Sequence, residues 1–428
     1  MKSYQKLWKY ANKIIPGGNG LLSKRPQRFS PERWPTYYTK AKGIYLWDLN
    51  GKKFTDMSIM GIGTSILGYA NNQLDKFVKK NISYGVNTTL NSLEEVDLAA
   101  ELLKIDTFAD QVKFARSGGE AVSIAIRIAR AKSNKTKIAF SGYHGWQDWY
   151  LAANIEDKKN LNNHLLKDLD PIGVPKELKG SNIPIKFNDV DHLIKTTKKQ
   201  DLAAIIVEPG RFNYMEKDFA KKINFLCRSK NICLIVDEIT CGWRSNLGGL
   251  YKKIGLKPDI VIYGKALGNG YAISSIVGKR KYLKFANKSF ISSTAWTERV
   301  GFCAALKTIK ILRKKNYKKM EKLSKIIKYD WEFYSKKHGV NIVINNYSSI
   351  PSFQFQYGSK NDELYTIFTN LFLEQNILAT NSVYLSFAHN SRNILLYRSH
   401  LDNIFNVLKK FILSKKRLNK NKVKKSNY

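Results

Sequence analysis

The feature that most narrows the fold of this chain is an alternation that sets in near residue 95, where short β-branched runs are separated by amphipathic helical stretches. The runs are Val112 to Ala115, Lys137 to Phe140, Ala203 to Val207, Ile232 to Val236 and Ile260 to Tyr263. Strands that alternate with helices predict an α/β core. In such sheets ligands collect beyond the carboxyl ends of the strands, so the residues that follow each run are where chemistry is expected. After Thr297 a long helical pattern runs through Ala304, Leu306, Ile309 and Leu312, and shorter strands and helices follow. The expected organisation is an N-terminal segment, 1–60, that contributes to a small domain, a large domain, 61–300, and a C-terminal small domain, 301–428, with a basic tail from about Lys409.

With 428 residues, 43% of them hydrophobic, the chain can bury a large core with a smaller one beside it. Its net charge of +39 requires an explanation. A basic excess can signal nucleic acid, anionic membrane or acidic substrates. Here the lysines are spread along the chain, as in Lys79-Lys80-Asn81-Ile82, Lys230-Asn231-Ile232 and Lys314-Lys315-Asn316, a pattern of solvated faces. No zinc-finger spacing and no aromatic RNP-like strand accompanies them, so specific nucleic-acid binding is not expected. The stretch from Lys415-Lys416-Arg417 to Lys424-Lys425 reads as a frayed basic tail. Cys227, Cys233, Cys241 and Cys303 form no CxxC pair, which argues against a disulfide framework or a zinc site and fits a reducing compartment. No apolar run reaches the roughly 20 residues that span a bilayer. The start, Met1-Lys2-Ser3-Tyr4, lacks the apolar core of a signal peptide, so a cytoplasmic location is expected.

Four segments at strand exits carry the chemistry. Arg116-Ser117-Gly118-Gly119-Glu120 is a strand, a glycine turn and a helix start, which lets backbone amides approach an anion such as a phosphate. Ser141-Gly142-Tyr143-His144-Gly145-Trp146 places aromatic rings where one can stack on a planar heterocycle. Leu234-Ile235-Val236-Asp237-Glu238 sets two acids directly after a buried strand. Nucleotide hydrolases share that ending, but the phosphate loop GxxxxGKS or GxxxxGKT is missing here. Pro258 to Gly270 puts Lys265 between a strand and a glycine-rich turn, where desolvation favours the neutral, nucleophilic amine that Schiff-base chemistry needs. Each segment alone also has a structural reading, as a helix cap, a packed loop, a buried ion pair or a surface lysine.

Together and in this order the motifs resemble class III aminotransferases, the fold-type I pyridoxal-phosphate family that includes glutamate-1-semialdehyde aminomutase. The resemblance runs from Ile15-Pro16-Gly17-Gly18 through Gly43-Ile44-Tyr45-Leu46-Trp47-Asp48-Leu49-Asn50-Gly51 and Gly68-Tyr69-Ala70 to beyond Thr294. It implies a large domain with a mixed, mostly parallel sheet, a smaller α+β domain, and pyridoxal 5'-phosphate as cofactor. By it, Lys265 corresponds to the lysine that holds the cofactor and later moves a proton, and Asp237 to the acid that pairs with the pyridine nitrogen. Ser117, Gly118 and Gly119 correspond to the phosphate cradle, although many relatives have Ser or Thr where Gly119 stands. Tyr143 corresponds to the ring that stacks on the cofactor, with His144 beside it, and Asn213 resembles the polar group near the ring hydroxyl. Thr294 corresponds to a threonine that reaches the phosphate of a neighbouring subunit, which implies a homodimer. Glu208 and Arg25 are the expected substrate contacts.

The family's usual motifs are altered at three places. Leu22-Ser23-Lys24-Arg25-Pro26 replaces the aminomutases' Ser-Pro-Val-Arg, Gly210-Arg211-Phe212 replaces a glycine-rich turn, and Gly268-Asn269-Gly270-Tyr271 replaces Gly-Gly-Gly-Leu. The expected reaction is therefore transfer between two molecules, an amino donor such as glutamate and a keto sugar or small aldehyde acceptor. Aminomutase activity, which moves the group within one molecule, is the alternative.

Overall fold

A computed structural model describes residues 3–198, 200–414 and 416–425. They form two compact units, one spanning 72–315 and the other joining the chain before residue 72 to the chain from residue 316 onward.

In the smaller unit β1 (Tyr38–Lys42), β2 (Tyr45–Asp48) and β3 (Lys53–Met57) form an antiparallel meander. The larger unit carries β4 (Gln111–Ala115), β5 (Lys137–Ser141), β6 (Asn182–Pro184), β7 (Leu202–Val207), β8 (Cys233–Asp237), β9 (Ile260–Tyr263) and β10 (Ser274–Gly278). They form one sheet in the order β4-β10-β9-β8-β7-β5-β6. β10 is antiparallel to both its neighbours, and the other pairs are parallel. This is a mixed, mostly parallel sheet. Every residue of β7, β8 and β9 is buried, as central strands covered on both faces must be, and so their sequences read as continuous apolar runs.

The helix Gly118–Ser133 buries Ala121, Ile124, Ala125, Ile128 and Ala129 against this sheet, at the spacing of one helical face. It starts with a capping box between Ser117 and Glu120 and stops at Asn134, which adopts a left-handed conformation. The helix Arg299–Leu312, foreseen from its spacing, packs on helices Asn72–Ile82 and Leu93–Ile105 in the same unit.

In the smaller unit β11 (Ile342–Ile344) and β12 (Phe353–Phe355) form a hairpin, and β13 (Ile377–Ala379) lies parallel to β3. Strands from early and late in the chain thus share one sheet. Helices Tyr317–His338 and Ser391–Leu413 pack together there.

The expected fraying of the basic tail is corrected for residues 416–425. Helix Ser391–Leu413 continues past Lys409, and the chain beyond it is fastened down. Arg417 Nε donates to Glu363 Oε1 at 3.1 Å, Lys422 Nζ lies 3.2 Å from Glu32 Oε2, and the Lys424 amide donates to Thr366 Oγ1 at 2.8 Å. Lys424 Nζ also sits 4.4 Å from the centre of the Tyr365 ring. Two remote acids and an aromatic face supply what the tail's own composition lacks. Lys415 lies outside the described residues.

Candidate active site

Because β4, β5, β7, β8 and β9 are mutually parallel, their carboxyl ends share one edge of the sheet. Lys265 follows β9 after Gly264. Its backbone φ is +44°, a left-handed conformation that a lysine holds only where its surroundings impose it. A Cβ on Gly264 would lie 2.9 Å from Ser274 Oγ, so the approach to Lys265 is tightly packed. Lys265 Nζ donates to Thr240 Oγ1 at 2.9 Å. Burial lowers its amine from the ordinary lysine range to about 8, the Arg211 cation adds to this, and Glu208 and Asp237 oppose it.

Asp237 ends β8 and is buried. One carboxylate oxygen meets His144 Nδ1 at 2.8 Å, and the other accepts the Ile239 amide at 3.0 Å. His144 Nε2 is buried without a hydrogen-bond partner among the described residues. The next acid, Glu238, serves the fold instead: Oε1 accepts the Tyr251 amide at 2.7 Å. Successive side chains leave a strand on opposite faces, which separates the two neighbours.

Burial pushes the Glu238 carboxyl up to about 8. An acid whose folded pKa is raised binds more protons folded than unfolded between the two values, so it costs stability as pH rises from about 4.3 to about 8. Replacing Glu238 with glutamine removes that titration. The melting temperature of Glu238→Gln relative to the parent is therefore expected to rise progressively from pH 5 to pH 8, and a pH-independent difference would contradict it.

Glu208 follows β7. Its Oε2 accepts the Tyr143 amide and Arg211 Nε, both at 2.9 Å, while Arg211 Nη2 donates to Oε1. Burial alone would raise the Glu208 carboxyl, but the Arg211 guanidinium holds it below its ordinary value. The same Nη2 donates to Thr240 Oγ1 at 3.1 Å, and the guanidinium lies 5.5 Å from the Tyr143 ring centre.

At the exit of β4, Ser117 caps the helix Gly118–Ser133. Its amide and hydroxyl both donate to Glu120 Oε2, at 2.7 and 2.9 Å. The opening amides of Gly118 and Gly119 belong to the first turn, whose N–H groups have no acceptor within the helix. A Cβ on Gly118 would lie 2.8 Å from Ile239 Cδ1, and one on Gly119 would lie 2.1 Å from Gln147 Nε2. A side chain at either position would have to displace the end of a neighbouring side chain, Ile239 at the first and Gln147 at the second, so glycine keeps this turn open.

The structure thus brings together Ser117, Gly118, Gly119, Tyr143, His144, Glu208, Asp237 and Lys265. Asn213 is exposed on a turn, where its backbone carbonyl accepts the Arg211 amide at 3.3 Å. Thr294 is exposed on the turn Thr294–Thr297, which Arg116 fastens by donating to the carbonyls of Ala295 and Trp296. Arg25 belongs to the smaller unit, with its guanidinium so close to Gly17 that a Cβ there would lie 1.8 Å from Nη2. Thr240 and Gln147 carried no sequence signal of their own. Arg211 did, as a departure from the glycine-rich turn.

The sequence profile of the family described as aminotransferase class-III matches residues 29–344. The chain is 34% identical over 318 residues to a 3-aminobutyryl-CoA aminotransferase from Cloacimonas acidaminovorans (strain Evry), covering 72% of each. To a glutamate-1-semialdehyde 2,1-aminomutase from Sulfolobus acidocaldarius it is 29% identical over 415 residues, covering 90% of this chain and 95% of the other. The PLP form of the FumI protein from Sphingopyxis sp. MTA144 shares the fold with a TM-score of 0.86 at 22% identity, covering 96% and 97% of the two chains. The chain belongs to the class III aminotransferases. It is accordingly a fold-type I enzyme that uses pyridoxal 5'-phosphate to transfer an amino group between an amino donor and a keto or aldehyde acceptor.

Proposed function

We propose that Lys265 tethers the cofactor and moves the proton in an amino transfer between two separate molecules. The observation that carries this reading is the state of Lys265, a strained, desolvated amine held at a strand end beside Asp237. The residues around it fit the cofactor. The Gly118 and Gly119 amides at the helix start offer a phosphate cradle, and the buried Asp237–His144 pair offers a negative charge to a protonated ring nitrogen. Tyr143 supplies an aromatic face. Ser117 is occupied by its capping box, so its contribution is to shape the helix start rather than to lead the phosphate contact.

When bound, the cofactor supplies an aldehyde and an electron-poor ring that draws charge from the substrate carbon. Lys265, with its amine near neutrality, takes a proton from that carbon and returns it elsewhere. Asp237 holds the positive charge that keeps the ring electron-poor. Glu208 anchors the Tyr143 amide and Arg211, and so shapes the wall of the site from which a substrate is met.

The relatives include both an aminotransferase and aminomutases, and the Leu22 to Pro26 stretch departs from the aminomutase pattern. That departure supports transfer between two molecules, with an amino donor such as glutamate. We also propose a homodimer in which Thr294 faces the partner. The Asn87 side chain donates to the Thr294 carbonyl, which joins that turn to the segment carrying Leu90, and Leu90 and Phe290, which precedes the turn in sequence, are 81% and 92% exposed, apolar surface that a second copy would cover. Four buried free cysteines support a reducing, cytoplasmic setting.

The test is a half-reaction. Holoenzyme given single amino donors without acceptor is expected to release about one equivalent of keto acid per site and to shift the cofactor's absorbance to that of its amine form. Isomerisation of glutamate-1-semialdehyde with no keto acid from any donor would overturn the reading. The same assay across a dilution series should lose activity as the dimer dissociates, and a fully active monomer would remove the Thr294 contact.

A further inference from the structure

The Thr240 hydroxyl lies between Arg211 and Lys265. Arg211 sits on the turn after Pro209, and its planar fork grips Glu208 through Nε and Nη2. Nη2 also reaches Thr240 Oγ1 at 3.1 Å, and Lys265 Nζ donates to that same oxygen at 2.9 Å. A hydroxyl oxygen has two lone pairs, enough to accept from both. The guanidinium is further confined by the Tyr143 ring, 5.5 Å away. A carboxylate, a ring and a hydroxyl thus define its place from three sides.

We propose that Arg211 is a positioning residue for Lys265, acting through the Thr240 hydroxyl and anchored by Glu208. The proposal rests on the reading of Lys265 as the tether. The same geometry argues against Arg211 as a receiver of substrate carboxylate. The Nε and Nη2 edge of its fork is engaged by Glu208 and Thr240, and a substrate carboxylate taking that edge would displace an anion whose side chain is only 4% exposed and leave it without its countercharge.

The arrangement also sets charge around the amine. The groups that face Lys265 are the cations Arg211 and Arg244 and the anions Glu208 and Asp237. Removing Arg211 deletes one cation and unmasks Glu208, and both changes favour the protonated amine. The titration of the Lys265-linked cofactor should then move to higher pH.

The experiment is a pH titration of the holoenzyme's cofactor absorbance for the parent, Arg211→Met and Arg211→Lys, each with a thermal melt. Arg211→Met is expected to move the transition upward by about one pH unit, and Arg211→Lys, which keeps the charge, to recover at least half of that shift. Thr240→Val is expected to lower kcat about tenfold at unchanged KM, and Thr240→Ser, which restores the oxygen, to recover it. An unmoved transition in a folded Arg211→Met enzyme overturns the proposal, and so does a raised KM for carboxylate donors with no movement of the transition. If Arg211→Met does not fold, equal kcat in the two Thr240 variants overturns it. Borohydride reduction of the parent, followed by peptide mass mapping, separates the two readings: cofactor mass on the Lys265 peptide keeps the tether whatever the variants show.

Discussion

Lys265→Ala is expected to abolish turnover, with a loss on the order of 10⁴-fold, while leaving the cofactor bound without a covalent link. The loss is large because one amine is asked to do two things, to hold the cofactor and to move the substrate proton. Alanine can do neither. Binding should survive because the other groups proposed to hold the cofactor, Gly118 and Gly119 after β4, Tyr143 after β5 and Asp237 at the end of β8, lie on other parts of the sheet edge. The fold should survive as well. Among the described residues Lys265 Nζ makes one hydrogen bond, to Thr240, and its removal takes a costly desolvated amine out of the interior. The backbone strain at φ +44° remains with alanine, so no conformational relief complicates the comparison. Single-turnover assays, cofactor content and a thermal melt measure the three expectations. Transamination within about tenfold of the parent, or borohydride-fixed cofactor on a different lysine, would remove Lys265 from the role.

The strands that carry the site were legible because of how they are buried. β7, β8 and β9 are covered on both faces, and double burial writes an uninterrupted β-branched run into the sequence. β10 escaped notice for the opposite reason. Its residues, Ser274-Ser275-Ile276-Val277-Gly278, begin with two serines and follow Lys265 without an intervening long helix, so they read as an extension of the lysine loop. It inserts antiparallel between β4 and β9, a pairing that no local pattern announces. β6 is three residues long and ends in proline at the sheet edge, where few apolar positions are needed.

The site divides along the same line. Residues at strand exits could be found because topology collects them. Contacts made by loops that fold back across several strands could not, and the Arg211–Thr240–Lys265 bridge joins the exits of β7, β8 and β9. The basic tail is a similar case. Glu363 and Glu32, which hold Arg417 and Lys422, lie far from it in sequence, so a segment with no acid of its own looked unpartnered.

Asp237 and Glu238 show most sharply what sequence order leaves open, and they lead to the second large effect. Two adjacent acids after a buried strand look equivalent, yet Asp237 meets His144, while Glu238 accepts the Tyr251 amide and has its carboxyl pushed up to about 8 by burial. Asp237→Asn is expected to lower kcat about 10²- to 10³-fold, because the amide carries no negative charge to hold a proton on the cofactor's ring nitrogen. Stability should change far less. Asparagine has nearly the shape of aspartate and keeps an oxygen that can accept the Ile239 amide, 3.0 Å from Asp237 Oδ1 in the parent. The cost that remains is the weakened bond to His144, a loss of about 1 to 3 kcal/mol at a buried site. The two measurements therefore move apart, a rate that collapses and a melting temperature that shifts by a few degrees. A rate within about threefold of the parent would show that the ring nitrogen does not depend on this carboxylate. A protein that no longer folds would show instead that the Asp237–His144 pair belongs to the core before it belongs to catalysis.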